Sequence, residues 1–442
     1  MRFQLYRTLF VAFLFCEILL ITSQRLRYMG QRENGIVLTI LAAAMGLFAV
    51  LAAFEQGRTH PKTQGTTWEN WLLKIVAAIG VGLCIFHFKR EISVIPIDIS
   101  ISDILPTIQV MTQRLLQGQY PYSVIQSFGY DLSPTYLPLM WLPFLPAAVF
   151  HFDERWIAFG IWAIATISIL RRAHGLGIST EAKWLITALP FFHFILIEEG
   201  TSATFGNTVE IMIAGFYMLF ALQLDKIQTY LSGSPLKKGA LLAFFITLCL
   251  MSRYAFLLWL PLCFLIVWVE NRKLAISTAA WVFGFVLLLF VFPFLIKDPM
   301  IYFNGLKYYS VAALSGWSQP GNDGPLYEGM GVAGIFRDNC GGEMADRLAT
   351  LQRWQLVVSV AAVGLCAALW WKKRAKMQHL PLFLLGSLKF YFAFFYGFIQ
   401  MPYTYLMLTP CFFSIVMLLS FYREPQPLAL HHPTTGQFDT GA

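Results

Sequence analysis

Charge is what this sequence holds least of. Only 13% of its 442 residues are Asp, Glu, Lys or Arg, against about a quarter in an ordinary soluble domain. With 57% hydrophobic residues and a mean hydropathy of +0.61, that scarcity excludes a soluble globule and points to a polytopic membrane protein. The patterns of several function classes are also missing. The seven cysteines include no Cys-x-x-Cys pair. Cys16, Cys84, Cys249, Cys263, Cys366 and Cys411 stand in apolar runs, and only Cys340 is in a long loop. Neither a zinc site nor a disulfide framework is supported, and they read as small buried hydrophobes. No Asp-x-Asp pair, His-rich cluster or phosphate-cradling Gly-rich loop occurs. No nucleotide-sugar site, obligatory metal or cofactor is therefore inferred. Without internal repeats or low-complexity stretches, the chain reads as one domain over 1–422, with 423–442 expected to be a disordered cytoplasmic tail.

What the chain does have is a succession of apolar runs. A spanning helix needs roughly 20 mostly apolar residues. Runs at 5–22, 35–54, 71–88, 135–151, 156–170, 184–199, 206–224, 239–252 with 254–269, 274–296, 354–371, 380–399 and 404–422 qualify wholly or in part. They make about 11–13 membrane segments, so the expected fold class is all-α, a polytopic transmembrane helical bundle. The first run, behind Arg2 and Arg7, resembles a signal peptide without a small-x-small cleavage site and is read as a first transmembrane helix or signal anchor.

The net charge is +8, and the basic residues sit in clusters between apolar runs: Arg171-Arg172, Lys237-Lys238, Arg272-Lys273 and Lys372-Lys373-Arg374. That is the pattern of cytoplasmic loops, not of a nucleic-acid surface. Two loops stand out by length, 89–134 and 297–353. Counting back from the last basic cluster places 297–353 on the extracytoplasmic side, and counting from a cytoplasmic N-terminus places 89–134 there too. The counts agree on two conditions. Either the Pro-rich segment 135–151 (Pro138, Pro143, Pro146) does not fully cross or one weak charge signal is broken, and 239–269 must be a hairpin turning near Ser252-Arg253-Tyr254. Arg25, Arg27 and Arg32 fall outside in this scheme and run against the charge rule.

The interval 96–134 is the most polar and turn-rich of the first half. Pro106 suits the first turn of a helix. Ile108, Met111, Thr112, Leu115 and Leu116 then fall on one side, against Gln109, Gln113, Arg114 and Gln117, before Gly118 and Pro121 end the run. This predicts an interfacial helix with its apolar stripe on the bilayer. Asp103 stands just before it, where the positive helix end favours an ionised carboxylate able to accept a proton or orient a hydroxyl. The plainer alternative is that Asp103 only starts the helix and that Asp98 is a solvated loop aspartate.

A Lys or Arg at mid-bilayer costs about 2.5–3.5 kcal/mol and usually faces a cavity. Arg253 and Lys389 are the two best-placed cations. Their alternatives are a snorkelling side chain or a buried pair with a carboxylate such as Glu210 or Glu199. His193, Glu198, Glu199 and Glu210 are further candidates to line a cavity, though a lone His in an apolar run is more often a satisfied core residue. Tyr122, Tyr130, Tyr136 and Tyr403 are candidates to stack on a sugar. For most of the aromatic residues, lipid-facing and interfacial positions are the simpler expectation.

The order of these parts forms a pattern: Asp103, an amphipathic helix, Leu115-Leu116-Gln117-Gly118-Gln119-Tyr120-Pro121-Tyr122, then Ser133-Pro134-Thr135-Tyr136-Leu137-Pro138. It resembles the GT-C class of integral membrane glycosyltransferases, in particular the bacterial polyprenol-phosphate-mannose-dependent mannosyltransferase group. Gly206-Asn207 stands where that group often has Gly-Gln or Gly-Gln-x-Asn, and Arg253, ahead of Pro261, where a basic residue commonly precedes a proline. The resemblance covers residues 1–420 in layout, with its motifs concentrated in 98–138. The group's tyrosine-proline-proline is not intact, and loop 297–353 matches nothing in it.

The resemblance implies transfer of a hexose, mannose foremost, from a polyprenyl-phosphate donor to a lipid, glycan or other envelope acceptor. The reaction would take place on the extracytoplasmic face of the cell membrane. Asp103 matches the general base, with Asp98 as the fallback. Arg253, Lys389, Asn207, Tyr122, Tyr136 and Glu210 are the candidates to bind donor or phosphate. A phosphate leaving as a stable anion needs a nearby cation more than a metal. The competing expectation is a multi-pass transporter or flippase, which calls for inverted repeats and paired broken helices; the sequence offers one broken hairpin, 239–269, and no mate. A non-catalytic scaffold would leave the polar loop unexplained.

Overall fold

Apolar segments in lipid must satisfy their own backbone groups, and a single segment does so only as a helix. The computed structural model describes residues 2–22, 31–56, 67–200, 206–318, 320–321, 324–325, 329–401 and 403–423. The expected tail from 424 on, Arg25 and Arg27, and the side chains of Arg32, Glu198 and Glu199 lie outside the described residues. Strand pairing among those described is limited to the two-residue ladder of Pro320–Gly321 with Gly324–Pro325 and one bridge between Ile125 and Leu132. The remaining order is helical. In sequence it runs α1 (Arg2–Thr22), α2 (Gln31–Ala52), α3 (Thr67–Val94), α4 (Ile104–Leu116), α5 (Pro138–Phe150), α6 (Arg155–Gly175), α7 (Thr180–Gly200) and α8 (Glu210–Asp225). Then come α9 (Pro235–Leu250), α10 (Leu260–Glu270), α11 (Arg272–Leu295), α12 (Ile301–Ser318), α13 (Ala333–Asn339), α14 (Met344–Lys373), α15 (Leu380–Tyr396) and α16 (Leu408–Tyr422).

Eight of these, α1, α2, α3, α6, α7, α11, α14 and α16 with its leading turn, are long and apolar enough to cross a membrane. The chain is a multi-pass membrane protein. Hydrogen bonds sort the helix ends into two groups. At one end the Gln378 and His379 amides donate to Ala53 O at 2.9 and 3.1 Å. Asn271 Nδ2 donates to Leu231 O at 2.8 Å, Arg172 pairs with Asp225 at 2.8 Å, and Arg7 lies over the Tyr422 ring. Every basic cluster singled out above gathers there. At the other end the Leu139 amide donates to Met251 O at 3.0 Å and the Val332 amide to Gly397 O at 2.9 Å, while Tyr120 Oη donates to Phe294 O at 3.1 Å.

The shorter helices α8, α9, α10 and α15 run between the same two ends. α9 and α10 make the expected hairpin, reversing through Met251–Arg253 and the tight turn Tyr254–Leu258. α5 does not cross. It is broken into three pieces at its prolines and returns to the end it left: the Leu139 amide bonds Met251 O, and Asp153 just past it pairs with the Arg155 that bonds Ile95 O.

Burial also corrects two expectations. Of the expected α4 stripe, Ile108, Met111 and Thr112 are buried, with Leu105 and Thr107, where the helix packs against α5 and is covered by protein, while Leu116 is exposed. The aromatic load is not mainly peripheral either, because Trp141, Trp162, Trp259, Trp317 and Trp370 are all fully buried. A large flat side chain fills space between helices as readily as it sits in an interface. α1 is a working part of the core, burying Phe3, Phe10, Leu14, Glu17, Ile18 and Ile21 along one stripe. The most intimate helix pair is α2 with α15. Gly46 meets the Phe390 backbone there, and a Cβ on Gly386 would stand 2.7 Å from Ala49 Cβ, the small-residue packing usual where no water drives helices together.

Candidate functional site

Arg155, at the start of α6, sews the loop end together. It is 4% exposed, pairs with Asp153 at 2.6 Å, and donates to Ile92 O, Ile95 O and Gly206 O at 3.0, 2.8 and 3.2 Å. One guanidinium thus holds the exit of α3, the start of α6 and the entry to α8. Gln109 Nε2 donates to Glu154 Oε1 at 2.8 Å, clamping α4 onto the same corner. Past α4 the chain reverses at Gly118, whose φ of +72° favours glycine. Arg114 then ties down Pro121 O, Ser123 O and Val124 O.

Tyr122 and Tyr136 belong to this frame. Tyr122 Oη donates to Tyr136 O at 2.7 Å and accepts from Trp141 Nε1 at 3.1 Å, while Phe294 packs against both the Tyr122 and Trp141 rings. At 6% and 9% exposure these tyrosines present no open face to a sugar. They brace the re-entry of the loop.

Asp103 starts α4 through its backbone, its carbonyl accepting the Thr107 amide at 2.9 Å. Its side chain caps no α4 amide; Ser102 Oγ accepts the Ile104 amide instead, at 3.3 Å. Asp103 Oδ2 accepts a hydrogen bond from Tyr130 Oη at 3.2 Å. Burial pushes the carboxyl above its ordinary range, with the Tyr130 hydrogen bond pulling the other way. The helix end was expected to favour the ionised form, and loss of water outweighs it. The Tyr130 phenol is itself pushed up to about 12, by partial burial first and by the Asp103 charge second, so it donates across the neutral range. Asp98 is exposed and accepts the Ser100 amide at 2.7 Å; the Ser100 hydroxyl first and its amide second lower its pKa. It is a solvated turn aspartate. The second long loop closes over the same place. Gly305 of α12 abuts Thr135, and Tyr308 is an electrostatic neighbour of Tyr130.

Polar side chains also stand at and below the entry to α8. Ser102 Oγ donates to Asn207 O at 3.2 Å. Asn207 is buried, and its Nδ2 has no partner among the described residues. Three residues on, the buried Glu210 pairs with Arg253 and accepts from Thr409 Oγ1 at 2.9 Å. Arg253 keeps 16% of its side chain exposed, and its Nε is buried without a partner among the described residues, as are the hydroxyls of Tyr217 and Tyr396. Both phenols are electrostatic neighbours of Arg253. Of the two alternatives raised for Arg253, the pair with Glu210 is therefore present.

Lys389 pairs elsewhere, though its partner Pro410 follows the Thr409 that bonds Glu210. Its Nζ is fully buried, 2.5 Å from Glu17 Oε1 and 3.0 Å from Pro410 O, so its charge is spent on tying α1, α15 and α16 together. The buried-pair alternative holds for Lys389 too, with Glu17 as the acid. His193 packs edge-on against Phe412 at 4.3 Å, with both ring nitrogens unpartnered among the described residues. Tyr403 stacks on Tyr405 at 5.2 Å. Sequence reasoning passed over Glu17, Arg155, Tyr217, Tyr396 and Thr409. Glu17 carried a readable signal, since an acid inside an apolar span demands a partner; tyrosines in such spans carry none. A shallow cleft lined by Gln228, His379 and Arg423 opens at the basic end, away from all of this chemistry.

Together these features define a multi-pass α-helical membrane protein with a half-buried carboxylate under two loops. Compared with known proteins, the chain matches no family model, no curated sequence and no solved structure at a significant level.

Proposed function

We propose that this chain is a membrane glycosyltransferase of the GT-C kind, transferring a hexose, mannose foremost, from a polyprenyl-phosphate donor to a lipid, glycan or other envelope acceptor. One observation carries the reading: Asp103 is a raised, half-buried carboxyl whose side chain caps no α4 amide, and its neighbour Ser102 bonds the backbone of Asn207, three residues before the Glu210 that pairs with Arg253. In this reaction Asp103 takes the acceptor hydroxyl proton as the oxygen attacks the anomeric carbon. The bond from that carbon to the phosphate oxygen breaks, and the lipid phosphate leaves as an anion toward Arg253. Tyr217 and Tyr396, with unpartnered hydroxyls beside Arg253, supply donors for the same phosphate. The site faces outward across the cell membrane, because the basic clusters at the opposite end mark the cytoplasmic side.

The test is turnover of synthetic polyprenyl-phosphate sugars by purified protein. Asp103→Asn is expected to lower sugar transfer by about 10²–10⁴-fold, the usual contribution of a positioned base, with membrane insertion intact. Full activity in that variant would remove Asp103 from the mechanism.

A second reading, a transporter or flippase of lipid-linked or small polar substrates, draws on the ionisable groups deep in the bundle: the Glu17–Lys389 pair and the unpartnered His193. Failure to turn over any donor in the panel would favour it.

A further inference from the structure

α10 and α14 pack together and reach the basic end on the outer surface, each carrying a tryptophan with an arginine laid over it. Arg272 Cζ stands 4.7 Å from the Trp268 ring centroid, and Arg374 Cζ stands 4.7 Å from that of Trp371. The indoles are 44% and 56% exposed, and both arginines are exposed. Glu270 is an electrostatic neighbour of Arg374, which places the end of α10 beside the end of α14. Lys273, Lys372 and Lys373 are exposed in the same region, so one acid faces a clear excess of cations. Leu265 and Val269 on α10 and Leu365 on α14 are exposed below them, an apolar wall of the kind acyl chains cover.

A lone basic residue at a helix end needs only snorkelling to explain it. An arginine stacked on an indole is held in one plane with its N–H edge open, and that fork matches two oxygens of a phosphate. Basic recesses between spanning helices at the positive face suit anionic headgroups. We propose that the Trp268–Arg272 and Trp371–Arg374 pairs form a headgroup site for an anionic phospholipid, seated at the meeting of α10 and α14. This site is independent of the sugar-transfer reading.

The test titrates detergent-purified protein with a short-chain anionic phospholipid and with a zwitterionic one of equal chain length, counting bound lipid by native mass spectrometry. R272Q/R374Q is expected to weaken anionic-lipid binding by about thirtyfold, the combined worth of two basic side chains at a charged lipid surface. The charge-matched K237Q/K238Q, at the same end with Lys238 over Tyr230, is expected to leave it unchanged. Equal weakening by both variants, no weakening by R272Q/R374Q, or equal binding of the zwitterionic lipid would each overturn the proposal. If the double variant does not elute as a folded monomer, the single variants R272Q and R374Q are read instead, with about fivefold expected from each.

Discussion

At Asp103 two local effects oppose each other. The amide end of α4 favours the carboxylate, and partial removal from water favours the acid. Burial is the larger, so the carboxyl titrates above its ordinary value. A carboxyl raised in this way contributes stability at pH below its unfolded value, and that contribution is lost as pH rises through the folded one. As a base it must be ionised, so activity is expected to fall on the acid side at a pH above the usual aspartate range. Tyr130 donates the hydrogen bond that holds this rise back. Tyr130→Phe is therefore expected to move the acid limb of the pH–rate profile further up; an unmoved limb would separate Tyr130 from Asp103. Lys389 poses the opposite problem, a buried cation whose acid comes from the far end of the sequence. Glu17→Ala is expected to cost about 3–5 kcal/mol by leaving that charge unpaired. Adding Lys389→Met should recover most of the loss in heat-resistant folded protein. A double variant no more stable than the single would show that the pair is not what Glu17 serves.

Among the elements, the α2–α15 contact depends on missing side chains. Gly46 and Gly386 let two helices approach to backbone distance, and the short α15 spends its whole length buried in that contact and its neighbours. Gly46→Val is expected to force the pair apart at about 1–3 kcal/mol, read as a lower melting temperature in detergent; an unchanged melting temperature would mean that the interface has room the packing does not show. α5 illustrates a different element-scale rule. Its prolines remove backbone donors and break it into short turns, so it lies at the loop end and α4 packs on it. The loop therefore rests on a protein floor, and Asp103 is carried by a braced frame with Arg155, Arg114 and Tyr122 as its ties.

For the whole molecule, the distribution of basic clusters and long loops between two ends makes a direct forecast. In a Cys340→Ala background, Ser123→Cys at the loop end is expected to react with a membrane-impermeant thiol reagent added to intact cells. Lys373→Cys at the basic end is expected to react only after the membrane is opened. Labelling of both from the same side would break the bundle's two-ended arrangement. The asymmetry has a physical basis: lysine and arginine are retained on the cytoplasmic side during insertion, and several basic residues at that end lie over aromatic rings.

How much was legible in the sequence follows from the range of the forces involved. Composition and apolar run length determined a polytopic all-α bundle, because the bilayer imposes those constraints on each segment separately. Asp103, Arg253 and Glu210 stood out for a similar reason: charge in or near an apolar run is costly wherever it occurs. Only the tertiary structure decided what each charge does. Arg253 meets Glu210 forty-three residues before it in the chain, Lys389 meets Glu17 across nearly the whole length, and Tyr122 and Tyr136 turn inward to brace a loop. Burial and pairing depend on which helices become neighbours. That choice rests on close packing among many similar apolar faces, and no local stretch of sequence carries it.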